Sequence, residues 1–214
     1  MNTISGRKIV VKHISHGTIH EEYAVKKDSH LTLVYVVSGA SDLSLSPSIH
    51  LVGEHASATL VGLVTGKGNA RIHINTLQHH KARNTTSNLL VKSVLSDSSA
   101  CIYEGGIVVD KSAQKTDAYQ RNENLLLDEH TQATSSPALE ILANDVRCTH
   151  GAVVKTFDEN EVWYLLSRGI HRKDARAMIA SGFLTSAYSR IENESDRHTV
   201  EQQVALIEKG ESHE

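Results

Sequence analysis

Cys148 and His150 are separated by one residue, at the end of a segment with the pattern of a β-strand. If this segment is a strand, residues 146, 148 and 150 share one face, and the backbones at 148 and 150 lie about 7 Å apart. A thiolate beside an imidazole suits iron, part of an iron–sulfur cluster or zinc. Two ligands do not complete a site, so others would come from a second chain, cluster sulfide or solvent. A small buried cysteine beside a structural histidine explains the same spacing.

The chain has 14 histidines, and two other groups of them are close in sequence: His13, His16 and His20, and His73, His79 and His80. Adjacent residues of a strand point to opposite faces, so His79 and His80 do not fit a cupin-type metal site. No zinc pattern of paired cysteines and histidines is present. Surface or interstrand histidines are one interpretation, and a histidine-rich metal-binding protein is an alternative.

Other chemistries have little support in the sequence. There is no G-x-S-x-G motif for a nucleophilic serine. The segment Gly66-Lys67-Gly68-Asn69 lacks the rest of a phosphate-binding loop, so we expect a turn there and no nucleotide hydrolysis by this chain. A carbohydrate-active β-helix enzyme is a further alternative, and its convergent carboxylates would be Asp110, Asp117 and Asp128. We therefore expect a protein that is not an enzyme.

The elements that position these residues are mostly strands. From about Ile9 to Val154 hydrophobic and polar residues alternate, as in the segments 31–38, 43–46 and 71–75, which predicts many short strands. Glycine, asparagine, aspartate and serine mark turns between them. Only 4% of the residues are aromatic, whereas a β-sandwich usually has aromatic residues in its core. The composition therefore favours a stack of thin β-coils, although no clean internal repeat is visible.

After Lys155 the pattern changes to helix. A first helix is predicted between the N-cap Asp158 and the terminating Gly169, a second over 173–182, and a third from Thr199 to just before Gly210. The polar segment 189–198 is predicted to be a linker or mobile loop. Residues 1–155 are thus predicted to form a β-helix domain, and residues 156–214 a small helical domain.

Composition and charge exclude several classes of protein. The formal net charge of the 214 residues is −3, which gives no electrostatic reason to expect nucleic-acid binding. Two cysteines cannot form a disulfide framework. No apolar run approaches the length of about 20 residues that a membrane helix needs, and the N-terminus lacks the apolar region of a signal peptide. These features predict a cytoplasmic protein that is not embedded in a membrane.

The block from about Thr76 to Phe183 contains seven motifs in the order and spacing of a known family: YEGGIVV (103–109), AQKTDAYQ (113–120), NLLL (124–127), PALEI (137–141), NDVRCTHGA (144–152), VWYLLSRGI (162–170) and SGF (181–183). Together they resemble the SufB/SufD family of iron–sulfur cluster assembly scaffolds. The resemblance covers about half of the chain.

This resemblance implies a right-handed parallel β-helix with a small α-helical C-terminal domain. It also implies that the β-helix end pairs in a homodimer or in a heterodimer with a SufB-like chain, and that a transient iron–sulfur cluster is built at this interface. Cys148 and His150 match the family's motif and are the candidate cluster ligands. The C-terminal helices are implied to bind a SufC-like ABC ATPase, and the partner-binding candidates are Trp163, Leu166, Arg168, Ile170 and Phe183.

The chain departs from the family pattern in two ways. Typical members are about twice as long and begin with an additional helical region. Members of the SufB branch carry a cysteine just before the segment that matches 123–126 and a glutamate directly after the histidine. Here Arg121-Asn122 and Gly151 stand at these places, so the Cys-x-His-Gly form is SufD-like. Cys101 is expected to be a small core residue.

Overall fold

The fold is a parallel β-solenoid followed by helices, as seen in a computed structural model that describes residues 1–39 and 41–208. Each turn contributes one strand to each of two sheets, and all strand pairs between turns are parallel. Sheet A has the order β1-β3-β5-β7-β9-β11 and sheet B the order β12-β10-β8-β6-β4-β2. In the described part of the chain the strands are β1 (Asn2–Ile4), β2 (Arg7–Ile14), β3 (Gly17–Val25), β4 (His30–Gly39), β5 (Leu43–Leu51), β6 (Ser57–Gly66), β7 (Arg71–His80), β8 (Thr86–Leu95), β9 (Ala100–Val109), β10 (Thr116–Leu126), β11 (Gln132–Ile141) and β12 (Val146–Thr156). The predicted parallel β-helix is confirmed.

Hydrophobic and polar side chains alternate along the strands, and the hydrophobic ones form the core inside the solenoid. In β5, Leu43, Leu45, Ile49 and Leu51 are at most 3% exposed, whereas the serines between them face outward. Cys101 is also in this core, as expected. The interior holds more rings than the composition suggested, because Tyr23, Tyr35 and Tyr103 are fully buried there. Their hydroxyl groups contact polar side chains inside the solenoid.

The turns of the solenoid differ in length. Paired residues are 21 positions apart at Asn2–Tyr23 and 32 positions apart at Ala100–Gln132. The strands stay in register, whereas the number of residues in a turn increases from the N-terminal end of the solenoid to its C-terminal end. This variation explains why the sequence shows no clean repeat.

The described helices are α1 (Glu159–Ser167), α2 (Arg172–Thr185), a short 3-10 helix (Ser186–Arg190) and α3 (Glu194–Glu208). The two ends of α1 are as predicted: the Asp158 carboxylate accepts the Asn160 backbone N–H at 2.8 Å, and Gly169 has a φ of +83°. Such a left-handed residue commonly ends a helix.

Two predictions about the later helices are wrong. α2 does not end at Gly182 but continues to Thr185. The predicted linker 189–198 includes part of the 3-10 helix and the first residues of α3, which begins five residues before Thr199. The reason is an N-terminal cap, since the Asn193 side chain accepts the backbone N–H of Asp196 at 2.9 Å. The predicted stop at Gly210 lies outside the described residues.

The helices pack on the outer face of sheet B. Buried side chains of the 3-10 helix, of the residue that follows it and of α3 share a hydrophobic cluster with four strand residues: Ala187, Tyr188, Ile191, Val200 and Val204 with Val34, Val61, Leu63 and Leu90. The change from strand to helix falls between Thr156 and Glu159. The division into two domains stays a prediction.

Candidate functional site at the end of the solenoid

The last turn of the solenoid presents an uncovered interior face. Leu139 and Ile141 of β11 stand one turn above Ile107 and Val109 of β9. The two residues of β9 are fully buried, whereas Leu139 and Ile141 are 38% and 39% exposed because no further turn covers them in the described part of the chain. We define the end face as six of the inward-facing residues of this turn: Leu139, Ile141, Val146, Cys148, His150 and Val154.

Cys148 and His150 both belong to the end face. Cys148 is paired in register with Ala118 of β10, and His150 with Gln120. Ala118 and Gln120 are both fully buried, so this row continues the interior of the solenoid. Cys148 is half-buried and packs against a small hydrophobic cluster, whereas His150 is exposed. The strand geometry therefore brings together the two residues that the sequence singled out.

The surroundings of Cys148 favour the protonated form of its thiol. Burial raises its pKa above the ordinary value, and the nearby negative charge of Asp117 raises it further. Asp117 lies on the opposite face of the sheet, where it forms an ion pair with Arg147. A metal ion binds the thiolate, so loading of this site would release the proton.

The end face presents two candidate metal donors, Cys148 and His150. Among residues 1–39 and 41–208, no group of three or more histidine, cysteine, aspartate and glutamate side chains is arranged to hold a metal ion. The thiol and the imidazole of the end face are suited to contribute to a shared site rather than to form a complete one.

The partner-binding candidates lie in two places. Trp163, Leu166, Arg168 and Ile170 belong to α1 and its C-terminal end, and Trp163 is 72% exposed. Phe183 instead lies on α2 against the solenoid, where its ring centroid is 4.4 Å from Lys92 Nζ and 5.2 Å from Lys155 Nζ. Sequence reasoning missed Tyr164, an exposed neighbour of Trp163 that could have been noticed as a second aromatic residue on α1.

Lys92 joins the solenoid to α2 and was also missed. Its side chain is 9% exposed, and its ammonium group lies 2.8 Å from the Glu123 carboxylate and 2.7 Å from Ser186 Oγ. Together with the Phe183 ring, these contacts satisfy a cation that would be costly to bury alone. No local pattern marks Lys92, because its partners lie 31 or more residues away in sequence.

The three aspartates considered for a carbohydrate-active enzyme bind three different basic side chains. Asp110 is 2.9 Å from His79, Asp117 pairs with Arg147, and Asp128 is 3.4 Å from Arg176. They therefore do not form an acid–base pair.

Comparison with known proteins decides the family. Residues 11–183 match the family model described as "SUF system FeS cluster assembly, SufBD core domain". The chain belongs to the SufBD family. Among its SufBD relatives, the iron–sulfur cluster assembly protein SufD of Escherichia coli is 30% identical over 187 residues, which are 87% of this chain and 44% of that protein. A SufBD family protein of Mycobacterium bovis is 28% identical over 175 residues, 78% of this chain and 44% of that protein. One from Synechocystis is 35% identical over 97 residues, 45% of this chain and 21% of that protein.

This SufBD chain thus spans less than half the length of these curated relatives. In its described residues, none of the helices has the combination of length and apolar character required to span a membrane.

Proposed function

We propose that this chain is a scaffold subunit of a SUF-type iron–sulfur cluster assembly complex and is not itself an enzyme. The observation that carries the proposal is the position of Cys148 and His150 on the uncovered end face of a SufBD-family solenoid. The cluster is cargo in this proposal, held for a time and then passed on. We expect the chain to act in the cytoplasm, where thiols remain reduced.

Pairing through the end face completes the cluster site. A second chain would cover Leu139, Ile141 and Val154, which are 38–48% exposed, and would bring further ligands next to Cys148 and His150. The second chain is either another copy of this protein or a SufB-like chain. A site divided between two chains can change its coordination when the chains move, which suits a cluster that must be released.

A SufC-like ABC ATPase is the proposed partner of the helices. Trp163 and Tyr164 are 72% and 57% exposed on α1, and large exposed aromatic residues are typical anchors of protein interfaces. Arg168 lies beside them, with its guanidinium carbon 5.3 Å from the Tyr164 ring centroid. Because the sequence lacks a complete phosphate-binding loop, energy from ATP would come from this partner.

Co-expression with a SufC-like ATPase, followed by gel filtration with light scattering, tests the partner. We expect a complex that the Trp163→Ala variant weakens. The Met178→Ala variant is the matched control, because Met178 is 53% exposed on α2 and is not among the proposed anchors. Failure of the unaltered chain to form a complex would contradict this part of the proposal.

Anaerobic reconstitution with ferrous iron and sulfide tests the cluster site. The chain, alone or with a SufB-like partner, should acquire the absorption of an iron–sulfur cluster. Cys148→Ala and His150→Ala should reduce the amount bound, whereas Cys101→Ala should not, because Cys101 is 1% exposed. If the first two variants retain the full amount, these residues are not the ligands.

A further inference from the structure

Two histidines that are distant in sequence meet on the outer face of sheet A, away from the helices and the end face. His50 of β5 and His79 of β7 are paired in register on neighbouring parallel strands. Their inward neighbours Leu51 and His80 are fully buried, so both imidazoles lie on the outer face. The ring centroids are 5.6 Å apart, and the ring planes are inclined by 59°.

The hydrogen bonds of these two rings are incomplete. His79 Nε2 is 2.9 Å from the Asp110 carboxylate. His50 Nδ1 is buried and has no hydrogen-bond partner within the described residues. A buried polar atom without a partner is energetically unfavourable, so a group that binds this nitrogen would offset that cost.

The ring separation suits two ligands of one metal ion. With metal–nitrogen distances of about 2.0–2.1 Å and tetrahedral angles, the centroids of two coordinating imidazoles lie about 5.2 Å apart. The observed 5.6 Å is close to this value, so the separation of the two rings is compatible with binding of one ion. Asp110 already contacts His79 as an outer carboxylate does in many metal sites, where it orients the ring and raises its basicity.

We propose that His50 and His79 form a binding site for a divalent transition-metal ion such as Zn²⁺, Cu²⁺ or Ni²⁺, with Asp110 as the positioning residue and water as the remaining ligands. No third protein donor converges there in the described part of the chain, so the ion exchanges with solvent. Two imidazoles favour Cu²⁺ most and bind Fe²⁺ more weakly. The site is therefore distinct in place and in metal preference from the proposed cluster site.

The charges around the pair are mixed. Both Lys81 and Glu22 act on His50, the lysine opposing and the glutamate favouring a positive charge there. Charges of both signs thus lie near the pair, and metal binding would depend on the two imidazoles themselves.

Titration of Cu²⁺ and Zn²⁺ into the full chain carrying Cys148→Ala and His150→Ala tests this site without the other candidate ligands. Calorimetry should detect binding of one metal ion per chain. Replacement of either His50 or His79 by alanine should abolish this binding or weaken it at least tenfold. Asp110→Asn should weaken binding about tenfold, the usual effect of removing an outer carboxylate. Copper electron paramagnetic resonance should show coupling to two imidazole nitrogens.

His73→Ala is the matched control. His73 lies on the same strand and bonds the Glu104 carboxylate at 2.8 Å, but it has no imidazole partner in the described structure. Its replacement should leave the binding of this metal ion unchanged. Circular dichroism checks that each variant is folded. The proposal is overturned if the chain carrying only Cys148→Ala and His150→Ala binds no such ion. It is also overturned if adding His50→Ala or His79→Ala leaves the binding of copper unchanged.

Discussion

Gly105 makes room for the side chain of Gln120 inside the solenoid. A Cβ atom at Gly105 would lie 2.8 Å from Gln120 Cδ and closer still to its amide nitrogen. The same atom would lie 2.5 Å from the hydroxyl of Tyr103, which is hydrogen-bonded to Thr76. Gln120 is fully buried and stands one turn below His150, so this glycine shapes the layer beneath the candidate site.

We expect Gly105→Ala to lower the free energy of unfolding by about 1–3 kcal/mol, because the tightly packed interior must shift. Urea denaturation measures this loss. Gly106→Ala is the matched control, since a Cβ atom there would lie 3.4 Å from Leu77 Cδ1 and change stability by less than about 0.5 kcal/mol. Adding Gln120→Ala to Gly105→Ala should recover part of the loss. Equal stability of the two glycine variants would contradict this account.

The two cysteines should differ in their reaction with iodoacetamide. Cys148 is half-buried with a raised pKa, and Cys101 is fully buried with a pKa raised by burial to about 11. Because the thiolate is the nucleophile, mass spectrometry should find slow labelling of Cys148 in the native protein and labelling of Cys101 only in denaturant. Asp117→Asn should accelerate labelling of Cys148 because it removes a negative charge that raises the pKa. Glu201→Gln, at an exposed position of α3, should not.

His80 should make the protein sensitive to acid. Its buried ring bonds Thr85 and Ser87, and burial lowers its pKa from 6.5 to about 4. Above pH 6.5 the ring is neutral in both states, but below it only the unfolded chain gains the proton. Stability should therefore fall between pH 6.5 and 4, by at most about 3 kcal/mol from this group. His80→Gln should reduce the loss measured by urea denaturation at several pH values, whereas His73→Gln on the exposed face should not.

Local patterns predicted much of the fold. The alternation of leucine and serine in 43–46 correctly predicted β5, and Asp158 and Gly169 marked the ends of α1. Gly182 was misleading because tertiary packing overrode a local signal: the following residues Leu184 and Ala187 contact the hydrophobic cluster on sheet B, which extends the helical path. Helix propensity is a weak guide where such packing exists.

Of the two candidate sites, the sequence could predict only the one whose residues are neighbours along the chain. Cys148 and His150 share a strand, so alternation alone places them on one face. His50 and His79 are 29 positions apart and meet because of the register between β5 and β7. Since the turns vary in length, this register cannot be read from the sequence. Contacts between turns therefore required the structure.

Asp196 should hold α3 against the solenoid. It is 5% exposed, and its carboxylate is 2.5 Å from Arg7 Nη1 and 3.3 Å from the Thr32 hydroxyl. Asp196→Ala removes both contacts and should lower the free energy of unfolding by about 2 kcal/mol, in the range of hydrogen bonds to charged groups. Limited proteolysis should then cleave within α3 sooner. Glu194→Ala, two residues earlier at an exposed position, is the control; if it accelerates cleavage as much, the Asp196 contacts do not hold this helix.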